Sequence, residues 1–261
     1  MALTIAGSDS SGGAGLQADL KTFAALGVYG ASVIAALTAQ NTIGVFAIHQ
    51  VPADFIAAQI DAVFSDLDIG AVKIGMLGGG PAIEAVAARL MRHRARNVVL
   101  DPVLQASSGA TLLRPDAIDA LRRLAGHASV LTPNLAEAAA LLDLPLARDE
   151  TAMRTQAERL LALGAAAVLI KGGHLEGPES VDLLVNAAGC ERLAAPRIAT
   201  KNTHGTGCTM AAAIAAGLAK GHELNEAVRD AKAYVSAAIA AADRLNVGSG
   251  HGPLHHFYRW Q

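Results

Sequence analysis

A glycine-bracketed turn late in the chain carries the residues best suited to chemistry. Residues 202–208 read Asn-Thr-His-Gly-Thr-Gly-Cys, and an alanine-rich run that favours a helix follows Cys208. Glycines at 205 and 207 permit a sharp turn, so backbone N–H groups and the positive end of a helix converge in front of Cys208. Such a place suits a phosphoryl group whose charge grows in a transition state. The same field is expected to lower the pKa of the Cys208 thiol and yield a usable thiolate.

The same residues also allow a purely structural interpretation. In it, Gly205–Gly207 form an entry turn and nothing more, and Cys208 is a small buried apolar residue, as free cysteines often are. The motif alone leaves both interpretations open.

Polar or charged residues recur directly after the segments expected to be strands. They are Asp9, Gln40, Asp101, Asn134 with Glu137, and Lys171. The carboxyl ends of parallel strands share one edge of an open α/β sheet, where ligands bind. Each residue has a structural alternative; Asn134 and Glu137, for example, have the spacing of a helix capping box. Their recurrence along one edge nevertheless predicts a site.

These groups suit a nucleoside triphosphate with its magnesium ion. No Gly-Lys pair occurs in the chain, which excludes a Walker A loop, so the turn at 205–208 has to serve as the phosphate cradle. Asn134 and Glu137 are spaced to orient Mg²⁺ through its retained waters. Phosphoryl transfer needs mainly positioning and charge stabilisation, with Cys208 taking the proton of the acceptor hydroxyl.

Three other features are assigned structural roles. Residues 13–18 satisfy a relaxed dinucleotide fingerprint, but the region 37–42 lacks the carboxylate that a dehydrogenase needs. His204 precedes the turn and is expected to stabilise the loop by a hydrogen bond. The tail at 252–257 contains two histidines without partners at metal-ligand spacing, and it is expected to pack against the body of the protein.

The elements that position these groups alternate between strands and helices. Strands are predicted at 2–6, 32–38, 45–50, 71–74, 97–100, 129–131 and 167–170, with a hairpin at 181–198. Helices are predicted at 16–26, 52–64, 82–92, 115–124, 152–163 and 224–245, with one ending at 142 and one following Cys208. Because no linker, repeat or shift in composition interrupts the alternation, we expect one α/β domain, 1–261, whose mostly parallel sheet carries helices on both faces.

Composition narrows the class of protein. The chain has 261 residues, of which 52% are hydrophobic, enough for a sizeable core. A net charge of −2 without a basic block argues against nucleic acid as a partner. Two cysteines, Cys190 and Cys208, offer no disulfide framework, and a reducing cytoplasm is the expected location. The N-terminus does not read as a signal peptide, and no apolar stretch reaches the roughly 18 residues of a membrane span.

An ordered set of motifs resembles the hydroxymethylpyrimidine/phosphomethylpyrimidine kinases, a family of the ribokinase-like superfamily that acts in thiamine biosynthesis. The matching stretches are 7–21, 39–42, 73–76, 101–103, 132–137, 171–174 and 202–209, and the resemblance covers nearly the whole chain. It implies a ribokinase-like three-layer α/β/α sandwich, usually a homodimer. It also implies ATP-dependent phosphorylation of 4-amino-5-hydroxymethyl-2-methylpyrimidine and then of its monophosphate, with Mg²⁺; a monovalent cation is a further candidate.

The resemblance implies roles for individual residues. Cys208 occupies the position of the catalytic base, and Gly205, Thr206 and Gly207 occupy the anion hole. The pyrimidine site comprises Gln40, Gly7, Ala14, Asp19, Met76 and Val103. The nucleotide site comprises Asp101, Lys171, Asn134, Thr206 and Lys232, and Asn134 with Glu137 forms the magnesium motif. Gln40 is suited to an aminopyrimidine edge because one amide supplies both a donor and an acceptor. Relatives often carry a lysine in the loop 105–109, and this chain has none there.

Three alternative functions stay open on the sequence. The first is a pyridoxal or pyridoxine kinase of the same fold, since some relatives use the same Gly-Thr-Gly-Cys turn on that vitamer. The second is a non-catalytic nucleotide or pyrimidine sensor that has kept the pocket. The third is a hydrolase with Cys208 as nucleophile, which would leave Asn134, Glu137 and Lys171 without a role.

Overall fold

The computed structural model describes residues 1–105, 112, 117–173 and 175–260, and its described strands form one sheet. The strands are β1 (Ala2–Asp9), β2 (Gly30–Gln40), β3 (Val45–Gln50), β4 (Ala71–Ile74), β5 (Val98–Leu100), β6 (Val130–Leu131), β7 (Ala167–Lys171), β8 (Glu179–Asn186) and β9 (Gly189–Pro196). Their spatial order is β3-β2-β1-β4-β5-β6-β7-β8-β9. Strands β2, β1, β4, β5, β6 and β7 are parallel, and β3, β8 and β9 pair antiparallel at the two sides.

Helices cover both faces of the sheet, which confirms the predicted three-layer α/β/α sandwich. The helices are α1 (Gly15–Ala25), α2 (Ala53–Asp66), α3 (Gly80–Arg92), α4 (Ile118–Ala125), α5 (Leu135–Leu142), α6 (Glu150–Leu161), α7 (Thr206–Ala219) and α8 (Leu224–Ala240). One apolar core lies between the sheet and α2–α6, and a second lies between the sheet and α1, α7 and α8. Alternate residues of each central strand enter the two cores, as the two-residue period of a strand requires.

Small side chains let the helices of the second core approach closely. Residues 209–216 of α7 are all buried, so this helix is enclosed on every side. A Cβ added at Gly217 would lie 2.8 Å from the Cβ of Ala227 on α8. The alanine-rich run after Cys208 therefore brings α7 tight against α8 and fixes the position of its N-terminus.

Several element boundaries differ from the sequence prediction by one or two residues, and two differ by more, for identifiable reasons. Strand β1 continues to Asp9 rather than ending at Ala6, because a register shift at Ala6/Gly7 lets it keep pairing with β2. Helix α8 ends at Ala240 rather than at 245, because the backbone N–H of His255 takes the carbonyl of Ala238 that a further turn would use. The helix predicted at 115–124 is described from Ile118, and its predicted start lies outside the described residues.

The parallel strands end at one edge, where the predicted functional residues come together. Asp9 ends β1, Gln40 ends β2, and Lys171 ends β7, while Asp101 and Asn134 follow β5 and β6. The N-terminus of α7 faces the same edge, since residues 205–208 line one cavity together with Asp9, Asp101 and Lys171. In the part of the chain that the structure describes, no helix is both long and apolar enough to cross a lipid bilayer.

Candidate active site

A cavity of about 890 Å³ opens at this edge of the sheet, and most of the predicted site residues line it. The predicted residues on its wall are Gly7, Ala14, Met76, Asp101, Val103, Asn134, Glu137, Lys171, Gly205, Thr206, Gly207, Cys208 and Lys232. Two predicted residues, Gln40 and Asp19, do not line it. The volume and the mixture of apolar and polar walls are those of a site for small organic ligands.

The glycine turn has the conformation that an anion hole requires. Gly205 has φ +82° and precedes the first residue of α7, and a Cβ there would lie 2.0 Å from the carbonyl oxygen of Gly13. The N–H groups of Gly207 and Cys208 have no acceptor among the described residues, whereas that of Thr206 donates to the Thr203 carbonyl at 3.2 Å. Two donors at the positive end of α7 are therefore available to an anion.

A partly buried lysine adds positive charge directly beside this turn. Lys171 Nζ lies 2.8 Å from Asp101 Oδ1, and a Cβ placed on Gly207 would be 3.1 Å from the same Nζ. Burial lowers the pKa of Lys171, but the carboxylates of Asp101 and Glu137 more than offset this and raise it. The ammonium thus stays charged next to the free N–H groups of the turn. An anionic phosphoryl group would meet both.

Asn134 and Glu137 form the capping box of α5 that their spacing allows. The Asn134 N–H donates to Glu137 Oε2 at 2.7 Å, and the Glu137 N–H donates to Asn134 Oδ1 at 2.9 Å. Burial raises the pKa of Glu137 to about 7, and Lys171 opposes the rise. These two side chains cap the helix and are also available to a ligand, because both line the cavity. Their oxygens suit a hard cation such as Mg²⁺ held through its own waters, since the capping bonds already engage one oxygen of each.

The environment of Cys208 contradicts the expected low thiol pKa. Burial raises the pKa of the thiol to about 11, although the charge of Lys73 and a backbone N–H from Gly15 act in the opposite direction. Carboxylates at Asp19 and Asp101 add to the rise. Desolvation by the packed surroundings outweighs the helix field here, although Cys208 is only partly buried and lines the cavity. The prediction of a ready thiolate is therefore wrong, and Cys208 is a protonated thiol at neutral pH.

Asp19 does not line the cavity, and its predicted place around the pyrimidine stays a prediction. Its side chain is fully buried, where it accepts from Thr4 Oγ1 at 2.6 Å and pairs with Lys73 Nζ at 2.8 Å. It acts on the site through Lys73, which is also fully buried and lines the cavity. The sequence analysis missed Lys73. Its signal was a charge inside the otherwise apolar strand Ala71–Ile74, which is unfavourable unless a partner neutralises it.

The remaining predicted residues have defined surroundings. Lys232 lines the cavity but is engaged by Asp182 Oδ2 at 2.8 Å and by the Ser180 carbonyl at 3.0 Å. Gln40 lies beside the cavity, in contact with Thr38 and His204, which line it. The histidine tail packs against the body as predicted, with His255 and His256 buried. Of the loop 105–109, only Gln105 belongs to the described residues, and His174 of the lysine motif also lies outside them.

A mostly parallel sheet with an anion turn at its carboxyl edge is the architecture of the ribokinase-like small-molecule kinases, and this chain has that architecture. The phosphomethylpyrimidine kinase family profile matches residues 9–255. The chain belongs to this family and is a kinase.

Individual relatives agree with this assignment over almost the full length. The chain is 60% identical to the hydroxymethylpyrimidine/phosphomethylpyrimidine kinase of Rhizobium meliloti, over 100% of this chain and 98% of that protein. It is 58% identical to the enzyme of the same name from Salmonella typhimurium, over 99% and 98%. Among solved structures, an ADP complex of Bacillus subtilis pyridoxal kinase superposes with a TM-score of 0.89 at 39% identity, covering 98% of this chain and 96% of that one.

Proposed function

We propose that this kinase transfers the γ-phosphoryl group of ATP to 4-amino-5-hydroxymethyl-2-methylpyrimidine and then to the resulting monophosphate, in thiamine biosynthesis. The observation that carries the proposal is the pair of N–H groups at Gly207 and Cys208, which have no acceptor among the described residues. Both residues line the cavity together with Lys171. Membership of the phosphomethylpyrimidine kinase family supplies the identity of the acceptor. We treat residues 1–261 as one domain.

In the first reaction the substrate hydroxyl oxygen bonds to the γ-phosphorus while the bond from that phosphorus to the β–γ bridging oxygen breaks. The free N–H groups and Lys171 bind the transferring group and stabilise its charge. The hydroxyl proton has to leave, and Cys208 is the group placed to accept it once its own proton has gone to solvent. In the second reaction a phosphate oxygen is the nucleophile, and it carries no proton that must be removed at neutral pH.

Asn134 and Glu137 would hold the magnesium ion, through its waters, on the nucleotide side of the cavity. When bound, the ion neutralises charge on the β- and γ-phosphates. Lys171, Asp101 and Lys232 form the nucleotide wall. Because Lys232 is already engaged by Asp182, we assign it to shaping this end of the cavity rather than to a phosphate contact.

The direct test is to mix the purified protein with ATP, Mg²⁺ and hydroxymethylpyrimidine and to separate the mono- and diphosphate products over time. Parallel reactions that omit Mg²⁺, or exchange K⁺ for Na⁺, test the two cations. A reaction with pyridoxine in place of the pyrimidine tests the pyridoxal kinase alternative, which the structural likeness to such kinases keeps relevant. Absence of turnover with either alcohol would favour the sensor hypothesis.

Replacement of Gln40 by leucine is expected to weaken pyrimidine binding by about 1–3 kcal/mol while ATP binding is retained, because the ring edge loses its donor–acceptor partner. Calorimetry with each ligand measures both affinities. Gln59→Leu is the matched control, since that glutamine bonds to the backbone of Ile34, away from the cavity. Unchanged pyrimidine affinity in the Gln40 variant would remove this residue from the site.

We also propose that the chain is a homodimer that associates through strand β3. This strand ends the sheet, and exposed apolar side chains lie on it and on neighbouring elements, at Leu37, Ile43, Phe46, Ile48 and Phe55. Light scattering is expected to give twice the chain mass of 26.6 kDa. Phe46→Lys should convert the protein to monomers, because a charge blocks edge association, whereas Trp260→Lys, also at an exposed aromatic residue, should not. A dimer that survives Phe46→Lys would place the interface elsewhere.

The cytoplasmic location is proposed on the state of the two cysteines. Both are unpaired, with Cys190 exposed and Cys208 in the site, as a reducing compartment permits.

A further inference from the structure

Asp9 is the centre of a hydrogen-bond network at the pyrimidine end of the cavity. Its buried carboxylate accepts from the Ser11 N–H at 2.9 Å, the Gly13 N–H at 3.2 Å and the Ala14 N–H at 2.8 Å. His204 Nε2 lies 2.8 Å from Asp9 Oδ2. Burial raises the pKa of Asp9, but the hydrogen bonds from His204 and Ser11 outweigh this and bring it to about 2. Asp9 is therefore ionised at neutral pH and can only accept hydrogen bonds.

A carboxylate that only accepts requires a proton on His204 Nε2, whether the ring is neutral or charged. The other polar neighbour of this nitrogen is the Gln40 amide, whose Nε2 is placed 3.3 Å away. With the NH₂ group at that end, two donors would face each other. The two ends of an amide are distinguished by their partners, and the partner here is a donor. The carbonyl oxygen of Gln40 therefore belongs on the His204 side.

Thr38 completes this arrangement on the other side of the amide. Its hydroxyl donates to the Ser8 carbonyl at 2.8 Å and lies 3.1 Å from the second end of Gln40, so it can accept from the NH₂ group there. Among the residues that the structure describes, each end of the amide then has one partner and one hydrogen-bonding position without a partner. The free oxygen lone pair and the free N–H form a donor–acceptor pair with a fixed order.

We propose that His204, held by Asp9, is a positioning residue that sets the orientation of the Gln40 amide and thereby selects the acceptor by its hydrogen-bond order. A ligand with an amino group next to a ring nitrogen fits when the amino group lies on the His204 side and the ring nitrogen on the Thr38 side. The corresponding ring with a keto oxygen next to a ring N–H presents the reverse order. It fits only if the amide turns and places its NH₂ group against the His204 N–H. This inference rests on the proposed function, in which Gln40 faces the pyrimidine.

The test compares two probes, hydroxymethylpyrimidine with its 4-amino group and the same compound with a 4-oxo group. Calorimetry gives the ratio of their dissociation constants for the wild-type protein and for each variant. His204→Leu removes the N–H that Asp9 and Gln40 share and lets the amide turn, so the preference for the amino compound should fall by up to about tenfold, the worth of one full neutral hydrogen bond. His204→Gln restores an N–H near the same position and should return the ratio toward the wild-type value.

Two further variants keep the result interpretable. His204→Asn leaves a polar residue in the loop but is too short to reach Gln40. If the leucine variant does not fold, His204→Asn takes its place in the test and should show the same loss of preference. Met76→Leu changes the apolar wall of the same cavity and should weaken both probes equally. Loss of affinity for both probes with an unchanged ratio in the His204 variants would make His204 merely structural and overturn the inference. Failure of the wild-type protein to bind or phosphorylate the amino compound would instead refute the proposed function.

Discussion

Replacement of Cys208 by alanine is expected to slow phosphorylation of the hydroxymethyl group by about 10²–10⁴-fold, the usual contribution of a general base. The second phosphorylation should be much less affected, because its nucleophile is a phosphate oxygen that is already deprotonated. The variant removes the side chain but keeps the backbone N–H at position 208, so the anion hole survives. Rapid-quench measurement of each step with its own starting substrate separates the two effects.

Cys190→Ala is the matched control for this experiment. Cys190 is exposed on β9, and it does not line the cavity, so its replacement should change neither step. An equal loss in both steps of the Cys208 variant would show that the thiol serves packing or phosphate binding rather than proton transfer.

The raised pKa of Cys208 adds a pH dependence to the same prediction. With a pKa of about 11, the thiolate fraction increases roughly tenfold per pH unit between pH 7.5 and 9.5. The rate of the first step relative to the second should therefore rise with pH. In this ratio of rates, the effect of any group whose titration changes both steps equally cancels. In Cys208→Ala this rise should disappear. A ratio independent of pH in the wild-type protein would contradict a thiolate base.

Replacement of Gly205 by alanine is expected to reduce both phosphorylation steps by about 10²-fold or more, the scale of losing a donor that stabilises the transition state. The added Cβ would lie 2.0 Å from the Gly13 carbonyl oxygen, and a positive φ of +82° already disfavours any side chain there. Because the obstacle is backbone, the turn itself has to shift, and the N–H groups of Gly207 and Cys208 shift with it. Steady-state assays of both steps, with thermal unfolding of the same samples, measure the effect.

Gly221→Ala separates strain from the loss of the anion hole. Gly221 has φ +88°, close to that of Gly205, but a Cβ there would meet nothing within 4 Å. It should lower stability by about 1–2 kcal/mol, the cost of a left-handed conformation, while activity at permissive temperature is retained. If both alanine variants keep full activity, the turn at Gly205 does not bind the transferring group.

Local signals in the sequence were enough to predict the architecture and which residues gather at the candidate site. The alternation of strands and helices follows from hydrophobic periodicity with Gly and Pro punctuation, which acts over a few residues. The capping box at Asn134 and Glu137 forms between residues three apart. The glycine turn and the N–H groups that we propose bind the phosphoryl group likewise depend on Gly205, Gly207 and the helix that follows at once. The polar residues follow successive strands, and the carboxyl ends of parallel strands lie at one edge of the sheet. Their meeting at that edge could therefore be predicted from the sequence.

Only the tertiary structure shows the side-chain contacts and pKa values that depend on residues distant in the chain. Asp19 pairs with Lys73, 54 residues away, in the buried interior, and the Gln40 amide lies against His204, 164 residues away. The pKa of Cys208 rises because other elements exclude water from the thiol, and neither its neighbours in sequence nor the helix field predicts how complete that exclusion is. The sequence by itself determined which groups reach the carboxyl edge of the sheet. Their charge and orientation depend on burial and long-range pairing, which are properties of the packed chain, so only the tertiary structure decided them.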